Sequence, residues 1–327
     1  MTVVTQGATE LENPAACSAR ASIKTIWADI ATLLKLRLTG MVVITAVVGY
    51  FVGSPRAIDW LVLLALAAGT WLLAGSASAL NQWWEIGPDS QMQRTLNRPL
   101  PAARIARSTA MLLAIFTGLF GTIWLLVGAN AITTVLGIGN LVIYAFIYTP
   151  LKRRTTFNTV VGAVCGGVPP LMGFAAASGG LAAPAWLLAG ILFIWQIPHF
   201  LALAWMYKDD YARAGFRMLP VIDPAGKTTG NMAVLYSVLL IPLAAGLTVV
   251  HSAGLVFLIV GVLLSAGLVV LSVGFRRQRN RSSARRLFLA SVLYLPLLLA
   301  VLVADRVPYH AHRTSARHPL ILKISRY

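Results

Sequence analysis

The stretch WLVLLALAAGTWLLAGSASALNQWWEIGPDSQMQRTLNRPLP, from Trp60 to Pro101, decides the fold. Residues 60–80 carry no charged side chain and are long enough, at 1.5 Å per residue, to cross about 30 Å of hydrocarbon. At their end stand Asn81, Glu85 and Asp89, followed by Arg94 and Arg98. A buried apolar helix of a soluble domain does not end this way; a membrane span delivering polar chemistry to the bilayer edge does.

Working outward, comparable apolar runs recur at 38–53, 108–128, 131–149, 158–178, 184–206, 231–250, 254–274 and 287–304. The chain is 58% hydrophobic and 11% charged, against roughly 25% charged for a soluble domain. The fold class is therefore all-α, a polytopic membrane bundle of about nine transmembrane helices. The first run is short and is expected to continue back through the amphipathic stretch Trp27 to Arg37. Gly166, Gly167, Pro169 and Pro170 predict a break in the fifth. The expected domain organisation is a polar leader over 1–24, one membrane domain over 25–304 and a disordered basic tail over 305–327.

The net charge of +17 raises the question of nucleic acid, but its distribution answers it. With a cytoplasmic N-terminus, the leader and inward loops hold 21 of the 27 lysines and arginines, the outward loops hold Arg56 alone, and the tail holds the rest. That asymmetry is the positive-inside rule, so the excess reports topology and the partner is the lipid bilayer, with no nucleic acid. Cys17 and Cys165 offer no disulfide framework. No apolar signal segment precedes Cys17, and Glu10 and Glu12 argue against an organellar transit peptide. The expected location is a bacterial inner membrane, with the N-terminus and active-site loops cytoplasmic.

Of only ten carboxylates, five (Glu85, Asp89, Asp209, Asp210 and Asp223) fall in two inward loops. Ionisable groups at a membrane edge are costly, and acids gathered on one side call for a cation. Asn81 and Glu85 are four residues apart and share a helix face. Gly87 and Pro88 are expected to end that helix and leave Asp89 in the loop. Such an oxygen set suits Mg2+, which takes one or two carboxylates and completes its shell from phosphate and water. Arg94 and Arg98 then suit a diphosphate, since guanidinium forks bind phosphate oxygens in pairs.

The second loop, WQIPHFLALAWMYKDDYARAGFRMLPVIDP from Trp195 to Pro224, sets Lys208 beside Asp209 and Asp210, with Arg213 and Arg217 after them. Two sets of acids and bases are expected to hold opposite sides of one diphosphate through metal ions, with Asn81, Glu85, Asp89, Asp209 and Asp210 as ligands. Between them, YTPLKRRTTFN brings Tyr148, Lys152, Arg153 and Arg154 to the same face. The basic residues there serve either substrate or plain topology.

These segments are where the chain resembles the membrane prenyltransferase superfamily and, within it, the protoheme IX farnesyltransferase (haem O synthase) family, over residues 25–304. Asn81, Glu85 and Asp89 fall on the first acidic motif, with Glu85 where many members carry Asp. Met92, Arg94, Thr95 and Arg98 to Pro101 match the loop, as do YTPLKR at 148–153, GGVPPLMG at 166–173, WQIPHFLAL, and DYARAGFRMLP at 210–220. Asp210 is the better match in the second motif, and Asp209 is an extra acid.

The resemblance implies nine helices, a cavity open to the cytoplasm, Mg2+ as cofactor, and transfer of farnesyl from farnesyl diphosphate to a vinyl group of haem b. It also implies haem A synthase or terminal oxidase assembly downstream. Asn81, Glu85, Asp89, Lys208 and Asp210 would then act in catalysis. Arg94, Arg98, Lys152, Arg153, Tyr148, His199 and Arg217 would bind substrates. Arg94, Arg98 and Lys208 would stabilise the leaving diphosphate, and the rings of Tyr144, Tyr148, Trp195 and Trp205 either face the allylic cation or form an interfacial belt. His199, about 12 Å inside the sixth span, either orients haem iron or hydrogen-bonds across helices. Two other readings are a prenyltransferase for an aromatic quinone precursor and a transporter. The loop sequences tell against the first, and the paired acid clusters against the second.

Overall fold

The computed structural model describes residues 23–55 and 57–309. Among these, nine helices are long and apolar enough to cross a membrane: Leu36–Gly53, Trp60–Trp84, Arg107–Gly128, Ala131–Leu151, Asn158–Ser178, Ala183–Met206, Lys227–Val249, Leu255–Gln278 and Arg281–Ala304. The described residues form no sheet, only an isolated bridge between Ala253 and Arg306. The leader, with Cys17, and residues 310–327 lie outside the described residues, as does Arg56.

The spans are apolar outward and small inward, the reverse of a soluble helix. On the third span Leu112, Phe116, Leu119 and Val127 are exposed, while Ala110, Ala114 and Gly121 face the neighbouring helices. Lipid replaces water as the solvent of that outer face. Helix association then rests on close packing through small residues.

The fifth span shows why. The sequence predicted a break at Gly166 to Pro170, yet Asn158–Ser178 is one helix with both prolines inside it. Glycine is needed for proximity, since a Cβ on Gly173 would overlap the Ala46 carbonyl and one on Gly49 the carbonyl of Pro170. The first and fifth spans meet backbone to backbone there. The prolines' missing N–H groups are tolerated because this part of the helix is enclosed by protein.

The first span departs from expectation in the opposite sense. Its continuation toward the N-terminus is a separate helix, Ile23–Leu33. Gln82 Nε2 takes the carbonyls of Thr32 and Leu33 at 2.9 and 2.8 Å, and the chain turns at Lys35, whose φ is +48°. Arg104 forks onto Asp29 and pins the short helix to the basic face of the bundle.

The fourth span carries a π-helical stretch, Ile143–Tyr148, which the sequence did not mark. Such insertions re-aim side chains and recur at functional sites. At the opposite face, residues 305–309, assigned to the tail from sequence, are packed. Asp305 Oδ2 accepts from Phe257 N at 2.7 Å, and Tyr309 lies edge-on to Phe174 at 5.0 Å. Cys165 is buried and unpaired.

Candidate functional site

Five connections meet on the basic face, and the end of the second span supplies their centre. Asn81 and Asp89 are fully buried and Glu85 nearly so. Glycine and proline do not throw Asp89 into a loop as expected. Ile86–Ser90 forms a short helical turn in which Asp89 N donates to Glu85 O at 2.7 Å, folding the acid back under the second span.

Each of the three polar groups meets a basic side chain from elsewhere. Lys35 Nζ donates to Asn81 Oδ1 at 2.5 Å, Lys152 Nζ to Glu85 Oε1 at 2.8 Å and Arg98 Nη1 to Asp89 Oδ2 at 2.6 Å. Asn81 Nδ2 is fixed by Thr149 Oγ1 at 3.0 Å, which sets the amide so that its oxygen faces Lys35. Asp89 Oδ1 is buried with no partner in the structure. Two carboxylates therefore sit among three basic side chains, with Asp89 Oδ1 the one of their oxygens that is both buried and without a partner.

The electrostatics follow from that enclosure. Burial pushes the Asp89 carboxyl above its ordinary range, although Arg98 pulls the other way. Burial, with Arg98 and Lys152 nearby, lowers Lys35 to about 7. Burial also works against the charge on Lys152, but Glu85 outweighs it and holds that ammonium above the usual lysine range.

Aromatic rings close the cluster. Lys152 Nζ lies 4.6 Å from the centre of the Tyr148 ring and 5.8 Å from that of Phe216. Tyr148 stacks at a tilt on Tyr144, both from the π-helical stretch. Arg94 lies over Tyr207 and Tyr211 and donates to the Tyr211 hydroxyl at 3.0 Å, so the first loop grips the second. Met92 packs beneath with Tyr211, Ala214, Phe216 and Met218.

Not every expected residue joins them. Lys208 and Asp209 line a cleft of about 300 Å³ with Trp205, Met206, Arg279, Asn280 and Arg281, whose walls include none of the first acidic motif. Lys208 Nζ rests over the Trp205 ring, and Trp205 is a core residue against Phe275 and not an interfacial one. Asp210, on the turn Lys208–Arg213, pairs with Arg213. Asp223 caps the seventh span through Thr229.

Arg153 and Arg217 are exposed, and the Arg217 guanidinium reaches only the Arg154 carbonyl at 3.3 Å. The Arg217 backbone N–H nevertheless donates to Lys152 O at 2.7 Å and so anchors the loop that presents Lys152. His199 lies between the sixth and ninth spans, with Nδ1 2.9 Å from Ser291 Oγ and its ring stacked between Trp195 and Phe288. A wider apolar cleft, about 650 Å³ between the second, third and fourth spans, holds none of these residues.

Sequence reasoning missed Lys35. It stands 46 residues from Asn81 and reads as one more topology-setting charge, with no spacing to mark it. Tyr211 and Phe216 lay inside the matched segment DYARAGFRMLP but were given no role of their own.

The oxygens of Asn81, Glu85 and Asp89 fit a hard divalent cation that keeps water and phosphate in its shell, and the unpartnered Asp89 Oδ1 is a ready ligand. Among the described residues no three His, Cys, Asp or Glu side chains gather closely enough to hold a metal alone. A divalent ion held there would need further oxygens from water or a ligand to complete its shell.

The model of the UbiA prenyltransferase family matches residues 42–296. Protoheme IX farnesyltransferases from Solibacter usitatus and Salinibacter ruber are 40% and 39% identical, over 85% and 86% of this chain and 98% and 99% of theirs. A mitochondrial protoheme IX farnesyltransferase of Arabidopsis thaliana is 40% identical over 84% of this chain, which spans 64% of that longer protein.

Among solved structures, one from work on digeranylgeranylglyceryl phosphate synthase superposes with a TM-score of 0.73 at 16% identity, covering 85% of this chain and 98% of that one. A UbiA homologue from Archaeoglobus fulgidus bound to DMAPP and Mg2+ superposes at 0.61 and 13% identity, covering 84% and 99%. These identities speak to the fold alone. The matched family model and the relatives together show that the chain belongs to the UbiA prenyltransferase family.

Proposed function

We propose that this chain transfers the farnesyl group of farnesyl diphosphate to a vinyl group of haem b, giving haem O. The observation that carries the diphosphate half is the buried Asn81, Glu85 and Asp89 set ringed by Lys35, Arg98 and Lys152. The relatives named protoheme IX farnesyltransferase, matched over nearly their whole bacterial length, support the acceptor.

Asn81, Glu85 and Asp89 would hold Mg2+, with Asp210 serving the second motif. The metal, when bound, supplies positive charge to the diphosphate oxygens. Arg98, Lys152 and Arg94 add charge-assisted hydrogen bonds aimed where negative charge develops. The bond between farnesyl C1 and oxygen breaks with its electron pair leaving on the diphosphate. Tyr148 and Tyr144 present ring faces and no strong nucleophile to the allylic cation, a contact worth about 0.5 to 2 kcal/mol. The vinyl double bond supplies the electrons of the new carbon–carbon bond, and water adds to the resulting cation with loss of a proton.

The sequence partition of 21 of the 27 basic residues to the leader and inward loops supports a bacterial inner-membrane location with the site toward the cytoplasm; a haem O product would pass to a downstream haem A synthase or terminal oxidase. Protein reconstituted in liposomes and supplied with haem b, farnesyl diphosphate and Mg2+ should yield a farnesylated haem by mass spectrometry, and chelation should stop it. Prenylation of an aromatic quinone precursor with none of haem would overturn the acceptor assignment.

A further inference from the structure

We propose that Gln196 is a water-positioning residue: seated over Gly166 in the middle of the bundle, it holds the water molecule that becomes the hydroxyl of the product. The inference rests on the farnesyl transfer to a haem vinyl group given above and places its second step.

The run WQIPH on the sixth span carries three polar side chains, and two of them turn to the ninth span. Trp195 Nε1 donates to Ser291 O and His199 Nδ1 meets Ser291 Oγ, each at 2.9 Å. Gln196 turns instead onto the fifth span. A Cβ on Gly166 would overlap all three heavy atoms of the Gln196 amide, so glycine is what lets the amide lie on bare backbone. Gln196 is only 8% exposed, and among the described residues its side chain makes no hydrogen bond, yet neither amide atom is sealed in packing. A polar group at this depth is costly unless it faces the bundle interior and finds a partner there.

The backbone beneath the amide suits the same guest. Pro169 and Pro170 lie inside the fifth span and have no N–H, so the carbonyls of Cys165 and Gly166 lack their ordinary intrahelical donors. Over residues 165–170 Gly166 is the one position that is not buried. An amide that both donates and accepts thus meets backbone acceptors short of donors at a single turn.

That turn belongs to the face of the candidate site. Gly162, four residues nearer the basic face, receives the Tyr148 ring, since a Cβ there would fall 2.7 Å from Tyr148 Cε2. The same ring lies 4.6 Å from Lys152 Nζ, which bonds Glu85. Gly166 is therefore about 6 Å deeper than the ring, and Gln196 about 15 Å from the end of its span at Met206.

Chemistry selects the guest. The fourth, fifth and sixth spans carry no lysine or arginine within their length, so a carboxylate or phosphate at this turn would have no counter-charge. Water is neutral, with two donors and two acceptors. Once the terminal vinyl carbon has bonded farnesyl C1, the vinyl carbon next to the pyrrole is cationic. The water oxygen gives it an electron pair, the carbon–oxygen bond forms, and the proton lost by the added water passes to the diphosphate released in the first step. The amide changes no charge and fixes where the water stands, deeper than the rings that shield the allylic cation. Without a placed water, the second cation loses a proton from the adjacent CH2, giving an alkene lighter by one water.

The test is the product split. Full-length protein in liposomes receives haem b, farnesyl diphosphate and Mg2+ in oxygen-labelled water, and the extracted haems are weighed by mass spectrometry. The wild type should give a labelled hydroxyl product. Gln196→Met, similar in length and unbranched, should shift the ratio of hydroxylated product to alkene toward alkene by about 2- to 12-fold, the range that one neutral hydrogen bond supplies. Gly166→Ala keeps the amide but displaces it, and should shift the ratio the same way. The wild-type ratio in Gln196→Met, at whatever rate remains, confines Gln196 to packing and overturns the inference. So does loss of diphosphate release by a Gln196→Met protein that still binds haem b, because a residue acting after the carbon–carbon bond forms cannot block the first step. If Gln196→Met does not fold, the ratio in Gly166→Ala decides alone. Farnesylated haem without labelled hydroxyl from the wild type overturns the inference and leaves farnesyl transfer standing, whereas no farnesylated haem removes both.

Discussion

The Arg94 guanidinium donates to the Tyr211 hydroxyl at 3.0 Å, joining residues 117 apart in sequence and belonging to two different inter-span loops. The same guanidinium lies 5.0 Å from the centre of the Tyr211 ring, so the contact combines a hydrogen bond with a cation–π interaction. Arg94 is exposed on its other side and free to meet a phosphate. Tyr211→Phe keeps the ring and removes the hydroxyl. A hydrogen bond to a charged group contributes about 1.5–3 kcal/mol, which bounds the loss at roughly 10- to 150-fold. Partial exposure places the expected rise in KM for farnesyl diphosphate at the lower end, with KM for haem unchanged. Equal rises for both substrates would show that Tyr211 supports the whole cavity and not the diphosphate contact.

Asp89 and the pair Asp209 and Asp210 provide a contrast within one experiment. Asp89→Ala should abolish transfer while the protein remains in the membrane, because it removes a carboxylate from the shared site and leaves Arg98 unpaired. Asp210→Ala should do the same through the second motif. Asp209→Ala should leave activity within a factor of a few, since Asp209 is exposed and lines the cleft with Arg279 and Arg281. Turnover by radiolabelled farnesyl transfer reads all three. Near-normal activity of a well-expressed Asp89→Ala protein would remove the first motif from the mechanism.

Much of this was legible because membranes simplify the reading. An apolar run of span length has one structural outcome, and all nine expected spans coincide with helices, differing chiefly where they extend further, as Trp60–Trp84 and Arg281–Ala304 do. What the sequence could not give was the meaning of glycine and proline. Gly166 to Pro170 reads as a break, but the partners of this part of the helix, Gly49 against Pro170 and Ala46 against Gly173, lie more than a hundred positions earlier and become visible only when the spans pack. Lys35 escaped for the same reason. Its value lies in a left-handed turn fixed by Gln82 and Thr39, and no local pattern records that relationship. The acid clustering was legible but coarse, since Asp223 belongs to a helix cap and Asp209 to another cleft.

Orientation in the membrane is open to direct measurement. With Cys17 replaced by serine and the buried Cys165 retained as an internal control, single cysteines at the exposed positions Ser90, Phe157 and Ala212 sample three loops of the basic face. A membrane-impermeant maleimide should label all three in inverted vesicles and none in intact spheroplasts. Labelling of any one from the outer side would separate that loop from the others and dismantle the shared site.

His199 offers the sharpest separation of the two substrates. Its Nδ1 meets Ser291 Oγ at 2.9 Å, and Trp195 Nε1 donates to Ser291 O at 2.9 Å, so both side chains of the sixth span grip one residue of the ninth. The contact answers the need of a half-buried polar ring for a partner across helices, and it leaves Nε2 as the nitrogen available to a ligand. The site lies on the same helix as Tyr207 but two turns deeper, too far for a diphosphate held by Arg98 and Lys152. Ser291→Ala removes the interhelical bond and keeps the imidazole, whereas His199→Ala removes both. If the bond alone matters, the two variants should lose similar thermal stability, about 0.6 to 1.7 kcal/mol, and keep both substrate affinities. If the imidazole also orients haem, His199→Ala should lose haem affinity well beyond Ser291→Ala while binding a non-hydrolysable farnesyl diphosphate analogue as the wild type does. Separate titrations of each purified variant with haem b and with the analogue decide it. Matched haem affinities in the two variants would confine His199 to packing, and loss of both ligands by His199→Ala would indicate that the stack of Trp195, His199 and Phe288 holds the sixth and ninth spans together around the cavity.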